Sequence, residues 1–191
     1  MHLLLEILLC LVLWYVYYSF LEYTGHRWLL HKMRLANVLQ SEWMRVMCRN
    51  HMKLHHGREY EHDEHHHDDN PLQLAIAGFF PSLLTAFFVR KIDPFAANLL
   101  VGYGAGYAIL FYAAHLEMHL RRGWFFSRMA LFRQLDERHR RHHAEPNSNF
   151  NVVLPLFDWV FATTASKQRV LPRITTPVKK SSAVPLSTNS A

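Results

Sequence analysis

The chain is poor in cysteine, with only two in 191 residues. Cys10 lies in an apolar block and Cys48 in a basic segment, and their spacing suits neither a disulfide nor a thiolate metal site. A glycine-rich fingerprint for a flavin or a nicotinamide is also missing, as is a set of cysteines for an iron–sulfur cluster. These absences exclude a disulfide framework and built-in electron-transfer cofactors of these kinds.

Charge is almost absent from three long apolar blocks, at residues 3–21, 71–89 and 95–114, where Glu6 is the only charged residue. At about 1.5 Å per helical residue, each block is long enough to cross a hydrocarbon core of roughly 30 Å. The first block lacks the basic start and the small-residue cleavage site of a signal peptide. The three blocks therefore predict an integral membrane protein.

Basic residues are distributed unevenly around these blocks. Of the 21 lysines and arginines, only Arg90 and Lys91 lie between the second and third blocks, and the others lie at residues 27–58 and 121–180. The positive-inside rule places that basic side in the cytoplasm and the amino terminus outside. Contact with anionic headgroups then explains the net charge of +6, and we expect no nucleic acid partner.

Histidine is abundant by contrast, and ten of the 15 histidines form four spaced groups on the predicted cytoplasmic side. The groups are His26 with His31; His51 with His55 and His56; His115 with His119; and His139 with His142 and His143. Neutral imidazole binds Fe, Zn, Cu or Ni, and much of the histidine population is neutral at pH 7. Because ten imidazoles are more than one ion can use, we predict a site for two metal ions.

Helical spacing supports this interpretation for three of the groups, whose members fall on one helix face or one turn apart at about 100° per residue. The remaining pair, His26 and His31, is about 140° apart on an α-helix, so we expect it to contribute to both ions or to straddle them. Glu22 and Asp136 each lie one turn before a grouped histidine. Both are candidates for orienting a ligand imidazole, with an ordinary salt bridge as the alternative.

The blocks and histidine groups together predict an all-α fold, an integral membrane helical bundle of about three to four membrane helices. A cytoplasmic helical cap would carry the His-rich dimetal site, with helices near residues 41–56 and 124–143 and a short apolar segment at 150–162. Residues 1–166 would form this membrane domain. Residues 167–191 are rich in Pro, Ser and Thr, so we expect a disordered cytoplasmic tail.

Two further motifs have a simple interpretation. The charged stretch at 58–70 holds His62, His65, His66 and His67, and its spacing and acidic neighbours favour a solvated loop over an extra metal site or a lid. The alternating glycines Gly102, Gly104 and Gly106 favour close helix packing. With Tyr103 and Tyr107, the same glycines would also suit a flat ligand.

The four histidine groups resemble the histidine boxes of the fatty acid hydroxylase/sterol desaturase superfamily of integral-membrane di-iron enzymes. The resemblance covers roughly residues 22–163 and includes the stretches Asn149-Phe150-Asn151 and Pro155-Leu156-Phe157-Asp158-Trp159. It departs from the family pattern at Asn151 and Ala162, where glycine is usual. The resemblance implies that all ten grouped histidines are metal ligands and that the dimetal centre is catalytic, with no separate acid or base assigned.

The function that this resemblance implies is a membrane-bound di-iron oxygenase. It would hydroxylate an unactivated C–H of a lipid, either a fatty acyl chain or a membrane lipid, with two Fe ions and O2 as co-substrate. Zn could replace Fe in a purified sample. The two electrons needed for each turnover imply a separate donor of the ferredoxin or cytochrome type. The metal site would face the cytoplasm from a bacterial inner membrane or an endoplasmic reticulum membrane.

Seven arginines near the later histidine groups are candidates for docking an acidic electron donor, and lipid headgroups are an equal alternative. They are Arg121, Arg122, Arg128, Arg133, Arg138, Arg140 and Arg141. The sequence leaves the oligomeric state open.

Other functions also stay open at this point. Within the same superfamily they are a carotenoid ring hydroxylase and a sterol or lipid desaturase. From another class comes a non-redox zinc-binding membrane protein. A metal transporter is disfavoured, because Ser82 and Thr85 are the only polar residues in the middle of the second and third blocks.

Overall fold

The computed structural model describes residues 2–57 and 71–165, and every regular element in these ranges is helical. The α-helices there are α1 His2–Thr24, α2 Arg34–Val38, α3 Glu42–Asn50, α4 Pro71–Val89, α5 Pro94–Leu120, α6 Ala130–Ala144 and α7 Leu156–Val160. The first π-turn, Gly25–Leu30, continues α1, and the second π-turn, His51–His55, continues α3. A short 3-10 segment, Phe125–Arg128, precedes α6. The predicted all-α class is confirmed for this part of the chain.

Two of the sequence predictions concern residues outside those ranges. The loop with His62, His65, His66 and His67 is one, and the tail at 167–191 is the other. Both stay predictions, as does the domain boundary at residue 166.

Two helical stretches are long and apolar enough to cross a membrane, Leu3–Leu30 and Pro94–Leu120. On the first of them, Leu4 and Leu5 are 63% and 66% exposed, and an apolar helix face of this kind is stable only against lipid or another protein. The second predicted block forms α4, but its apolar stretch with described side chains, Phe79–Val89, is shorter than a span. Two of the predicted spans therefore have helices of sufficient length, and the third stays a prediction.

Aromatic side chains hold α1 against α4 and α5. The Tyr18 ring stacks on the Tyr107 ring with 5.0 Å between their centroids, and the Tyr18 hydroxyl donates to the Leu100 carbonyl oxygen at 3.2 Å. The Tyr17 hydroxyl forms a 2.7 Å hydrogen bond with Thr85 Oγ1 of α4. Because a buried tyrosine needs a partner for its hydroxyl, these bonds fix how the three long helices pack.

One of the three alternating glycines lies at a close helix contact. A Cβ added to Gly104 would overlap the Tyr18 hydroxyl and would lie 2.9 Å from the Phe79 ring, whereas Gly102 and Gly106 have nothing within 4 Å. The helix-packing interpretation therefore applies to Gly104 alone.

The topology brings the histidine groups to one end of the bundle. A tight turn joins α4 to α5 at the other end, where Asp93 caps α5 by accepting hydrogen bonds from the backbone N–H of Phe95 and Ala96 at 2.9 and 3.0 Å. The C-terminal ends of α1 and α5 meet the second π-turn and α6 through their histidines. Beside them α7 packs on α1, with the Phe157 and Phe20 rings 5.2 Å apart.

We expect Gly104→Ala to lower stability by about 1–3 kcal/mol, because the added methyl group meets two side chains that cannot both move away. Gly102→Ala and Gly106→Ala are matched controls, and each should be neutral or slightly stabilising, since alanine is the better helix former. Thermal unfolding in one detergent measures all three. Equal melting temperatures for the three variants would contradict the packing at Gly104.

Candidate metal centre

Each of the first two histidine groups lies on a π-turn. The backbone N–H of His31 donates to the carbonyl oxygen of His26 at 3.1 Å, and that of His56 donates to the carbonyl oxygen of His51 at 3.0 Å. Such i→i+5 bonds span one residue more than those of an α-helix, so residues five apart come closer to the same face. The histidines of each pair therefore point in the same direction.

Five histidines converge to form site 1, and their candidate ligand nitrogens all lie within 4.8 Å of one another. Its members are His26, His31, His51, His56 and His142. The Nε2 atoms of His26 and His51 are 3.1 Å apart, as are those of His31 and His51. Nitrogens that approach this closely can share one cation, and five of them exceed the four ligands of a tetrahedral structural zinc.

Four more histidines form site 2 under the same limit of 4.8 Å. They are His55, His119, His139 and His143. Nε2 of His143 lies 3.0 Å from that of His55, and Nε2 of His119 lies 3.0 Å from that of His139. The tenth histidine, His115, is buried at the edge of site 2, with its Nε2 3.2 Å from that of His119.

The two sites are adjacent. The ring of His56 in site 1 stacks on the ring of His143 in site 2 at 4.5 Å, and the His51 and His55 rings are 4.8 Å apart. Neighbours in sequence are thus divided between the sites, His55 from His56 and His142 from His143. Two ions bound here would be direct neighbours, as the prediction of a dimetal site requires.

The arrangement corrects one prediction about the first pair. His26 and His31 do not straddle the two sites, because both belong to site 1. The estimate of about 140° between them assumed α-helical geometry, and the π-turn replaces it. The same geometry pairs His51 with His56 rather than with His55 in site 1.

Burial keeps the imidazoles neutral, which is the form that binds metals. Burial is the largest cause of a lowered pKa at seven histidines outside the two spans, and nearby histidines lower it further in all seven by charge repulsion between protonated rings. The seven are His31, His51, His55, His56, His139, His142 and His143. For His56, burial and the repulsion from His26 lower the pKa to about 3. The site therefore presents unprotonated nitrogen to a cation at neutral pH.

Backbone carbonyls of the segment 148–150 orient two of the imidazoles. Nδ1 of His26 donates to the carbonyl oxygen of Phe150 at 2.5 Å, and Nδ1 of His142 donates to that of Ser148 at 2.6 Å. A carbonyl only accepts, so each ring carries its proton on Nδ1 and leaves the Nε2 lone pair for a metal. Nε2 of His142 is buried without a hydrogen-bond partner, which fits a ligand position in site 1.

Glu22 has a different role from the one that the sequence indicates. Its carboxylate accepts hydrogen bonds from the backbone N–H groups of Val152, Val153 and Leu154, at 2.5, 2.8 and 3.1 Å. The group that orients His26 is the Phe150 carbonyl instead. Glu22 therefore ties α1 to the loop after α6, and it acts on the metal site through that loop.

Asp158 holds the same loop from the other side. It accepts hydrogen bonds from the backbone N–H groups of Phe150 and Asn151 at 2.8 and 2.9 Å. Its carboxylate is fully buried and pairs with Arg138 at 3.0 Å. Burial raises the pKa of Asp158, while its hydrogen-bond donors and Arg138 oppose that rise. The two carboxylates together place the carbonyls that face site 1.

Asp136, the second carboxylate predicted to orient an imidazole, pairs with Arg121 at 3.0 Å. It is buried on α6 one turn before His139. The salt bridge that the sequence offered as an alternative is therefore present. A contribution of Asp136 to the orientation of His139 stays a prediction.

The two departures from the family pattern differ in their backbone. Asn151 uses its side chain, whose Nδ2 donates to the Ser19 carbonyl oxygen at 2.9 Å and whose Oδ1 accepts from the Asp158 N–H at 3.2 Å. Ala162 has a φ of +52°, in the left-handed region that favours glycine. Asn151 thus gains contacts that glycine lacks, whereas Ala162 adopts a strained turn.

An apolar cavity of about 440 Å³ lies against the histidines. Its wall includes His26 and His51 of site 1, as well as His115 at the edge of site 2. Most of the remaining wall is aliphatic or aromatic, including Leu30, Tyr107 and Phe111. A cavity of this size and character suits an apolar ligand held beside the metal sites.

Sequence comparison agrees with the geometry. A profile of the fatty acid hydroxylase family matches residues 11–163. The chain therefore belongs to the fatty acid hydroxylase family, and the resemblance inferred from the histidine groups is confirmed. No curated protein and no solved structure gives a significant match to the chain.

We expect Asp158→Ala to weaken metal binding by about 10–100-fold, because the carbonyls that orient His26 and His142 lose their support. Glu42→Ala is the matched control, since Glu42 forms only exposed ion pairs with Arg45 and Arg49. Competition with a chelator of known affinity measures the change. If both variants hold metal as tightly as the wild type, Asp158 does not position the site.

We expect the metal-free protein to lose stability as the pH falls below about 6.5. The histidines of the unfolded chain then bind protons, whereas the buried histidines of the folded protein do not. Each such histidine lowers the free energy of unfolding by about 1.4 kcal/mol per pH unit. The loss for His56 continues down to its folded pKa of about 3. Melting temperatures across this range measure the effect, and a curve that is flat below about pH 6.5 would contradict it.

Proposed function

We propose that the protein is a membrane-bound di-iron oxygenase that hydroxylates an unactivated C–H of a lipid. The observation that carries the proposal is the pair of adjacent histidine sites beside an apolar cavity. Membership of the fatty acid hydroxylase family supports a lipid hydroxylase or desaturase. The cavity wall brings a hydrocarbon to within reach of both sites.

The donors of the two sites suit iron. Imidazole binds Fe, Zn, Cu and Ni alike, but zinc has no redox chemistry, and a structural zinc site uses four ligands. Site 1 alone offers five nitrogens, and His115 adds a further one at the edge of site 2. When bound, two Fe ions would supply the activation of O2 by two electrons and two protons, which inserts one oxygen atom into a C–H and releases the other in water.

The residues of the chain supply position and exclude water. Phe150 and Ser148 hold two imidazoles in the tautomer that leaves Nε2 toward a metal. His51, His139 and His142 are at most 1% exposed, so solvent is kept from that part of the centre. The cavity limits how an apolar chain can approach, which is the orienting contribution that oxidation of a single C–H requires.

The electrons would come from a separate donor, a ferredoxin or a cytochrome. Of the seven arginines predicted to dock it, Arg121 and Arg138 form ion pairs with Asp136 and Asp158 that support the site. Arg133, Arg140 and Arg141 lie on α6, which carries three histidines of the two sites. We therefore place donor docking on α6, because this surface is joined to the metal sites by one helix.

The localisation follows from the helices and the charge distribution. Two helices of spanning length support an integral membrane protein, and the basic residues around the histidines favour a cytoplasmic metal site. The third span would be α4. The membrane would be a bacterial inner membrane or that of the endoplasmic reticulum.

Metal content tests this function directly. We expect about two Fe per chain after anaerobic purification in mild detergent. The His142→Ala variant should hold much less Fe, because Nε2 of His142 faces site 1 in the wild type. His2→Ala is the matched control, since His2 begins α1 at the end far from His26. Two Zn and no Fe under iron-replete anaerobic conditions would overturn the redox function.

Isotope labelling tests the reaction itself. Cells that express the wild type under ¹⁸O2 should accumulate a lipid with one ¹⁸O atom, and cells that express His142→Ala should not. A new double bond without added oxygen would indicate desaturation. Unchanged lipids despite a loaded di-iron centre and a supplied reductant would contradict a lipid substrate.

A further inference from the structure

The cavity beside the histidines has an exposed side and a buried side. Phe20, Trp28 and Leu35 are 40, 45 and 38% exposed and line its mouth. Tyr107 and His115 are buried at its inner end. A molecule that enters at the mouth therefore meets the histidines with its leading end.

The mouth opens toward lipid. Phe20 and Trp28 both belong to the apolar stretch Leu3–Leu30, on the outside of α1 and the first π-turn. Beyond Leu35, the side chains of Val38 and Trp43 are 73% and 62% exposed. Exposed apolar residues around an opening at the end of a spanning helix suit entry from the bilayer rather than from water.

The described wall of the cavity has no lysine or arginine to receive an anion. Apart from the histidines His26, His51 and His115, Glu22 is the only acidic or basic residue among the described residues that line it. Its carboxylate already accepts hydrogen bonds from the loop residues Val152, Val153 and Leu154. Away from the metal sites, a carboxylate or phosphate buried against this wall would be unpaired and close to the carboxylate of Glu22, which is strongly unfavourable.

Positive charge lies in the segment that carries the mouth residues. Lys32 and Arg34 are exposed and stand in the chain between the mouth residues Trp28 and Leu35. They are suited to pair with an anionic headgroup at the membrane surface. Lysine and arginine therefore occur in the segment at the mouth, and neither occurs among the described residues of the apolar wall.

We propose that an acyl lipid enters the cavity with its tail leading. The uncharged hydrocarbon end of the lipid then reaches the metal sites, while its anionic head stays at Lys32 and Arg34. This inference rests on the proposed function and adds the orientation of the substrate. The end of the chain near the methyl group is then presented for oxidation, and the carbons next to the head are not. Phe111 sets how far the chain reaches, because it lines the cavity one turn before His115 and its ring lies 5.5 Å from that imidazole.

Photolabelling reads this orientation without any turnover. Two hexadecanoate probes are used, one with a diazirine at the methyl end and one with a diazirine beside the carboxylate. Each is irradiated with the purified full-length protein, in its metal-loaded form and after zinc exchange, and the labelled peptides are identified by mass spectrometry. We expect the methyl-end probe to label residues 107–115 and the carboxylate-end probe to label residues 28–35.

Variants test the two ends separately. Phe111→Trp should reduce labelling of residues 107–115 by about tenfold, the effect of excluding about two methylene groups from an apolar site. Phe87→Trp is the matched control, since Phe87 is 61% exposed on α4 and does not line the cavity. The double variant Lys32→Gln with Arg34→Gln should weaken labelling by the hexadecanoate probes but not by a hexadecanol probe with the same diazirine.

The outcomes separate this inference from the proposed function. A reversed pattern, or equal labelling of both segments by both probes, would overturn tail-first binding. Labelling of neither segment would show that the cavity is not the acyl site. Oriented labelling of a protein that acquires only zinc under iron-replete anaerobic conditions would support the binding mode and overturn the oxygenase function alone.

Discussion

The metal centre depends on two backbone hydrogen bonds of the i→i+5 type, one at the end of α1 and one at the end of α3. An α-helix would turn His31 away from His26, and the π-turn brings their Nε2 atoms to 3.2 Å. The same turn joins His56 to His51 and leaves His55 for the other site. Because neighbouring histidines divide between two sites, four short sequence groups suffice to form two adjacent clusters of candidate ligands.

Two buried carboxylates also help to position the histidines of site 1. Glu22 on α1 and Asp158 on α7 bind the backbone N–H groups of one loop, and that loop turns the carbonyls of Ser148 and Phe150 toward site 1. The loop thus connects α1, α7 and the candidate metal ligands. Burial and the repulsion between protonated rings lower the pKa of these histidines, so the site presents neutral nitrogens to a cation.

Part of the fold and of the candidate site could be predicted from the amino-acid sequence alone. The apolar blocks identified helices of spanning length, and the ten histidines with their spacing led to the fatty acid hydroxylase family. The division of ligands between sites could not be predicted, because it depends on π-turns that no residue pattern in His26–His31 reveals. The role of Glu22 was also hidden, since its partners are backbone groups about 130 positions away along the chain.

The sequence by itself determined the helical class, the imidazole as the type of metal-binding group, and the family, since these depend on composition and local spacing. Only the tertiary structure decided which histidines share a site, which carbonyls orient them, and that the cavity between α1 and α5 reaches His115. The physical reason is that metal ligation requires nitrogens to meet within a few ångströms, and spacing along the chain fixes direction only when the helix geometry is known. Here the helix geometry changed at the very residues that carry the site.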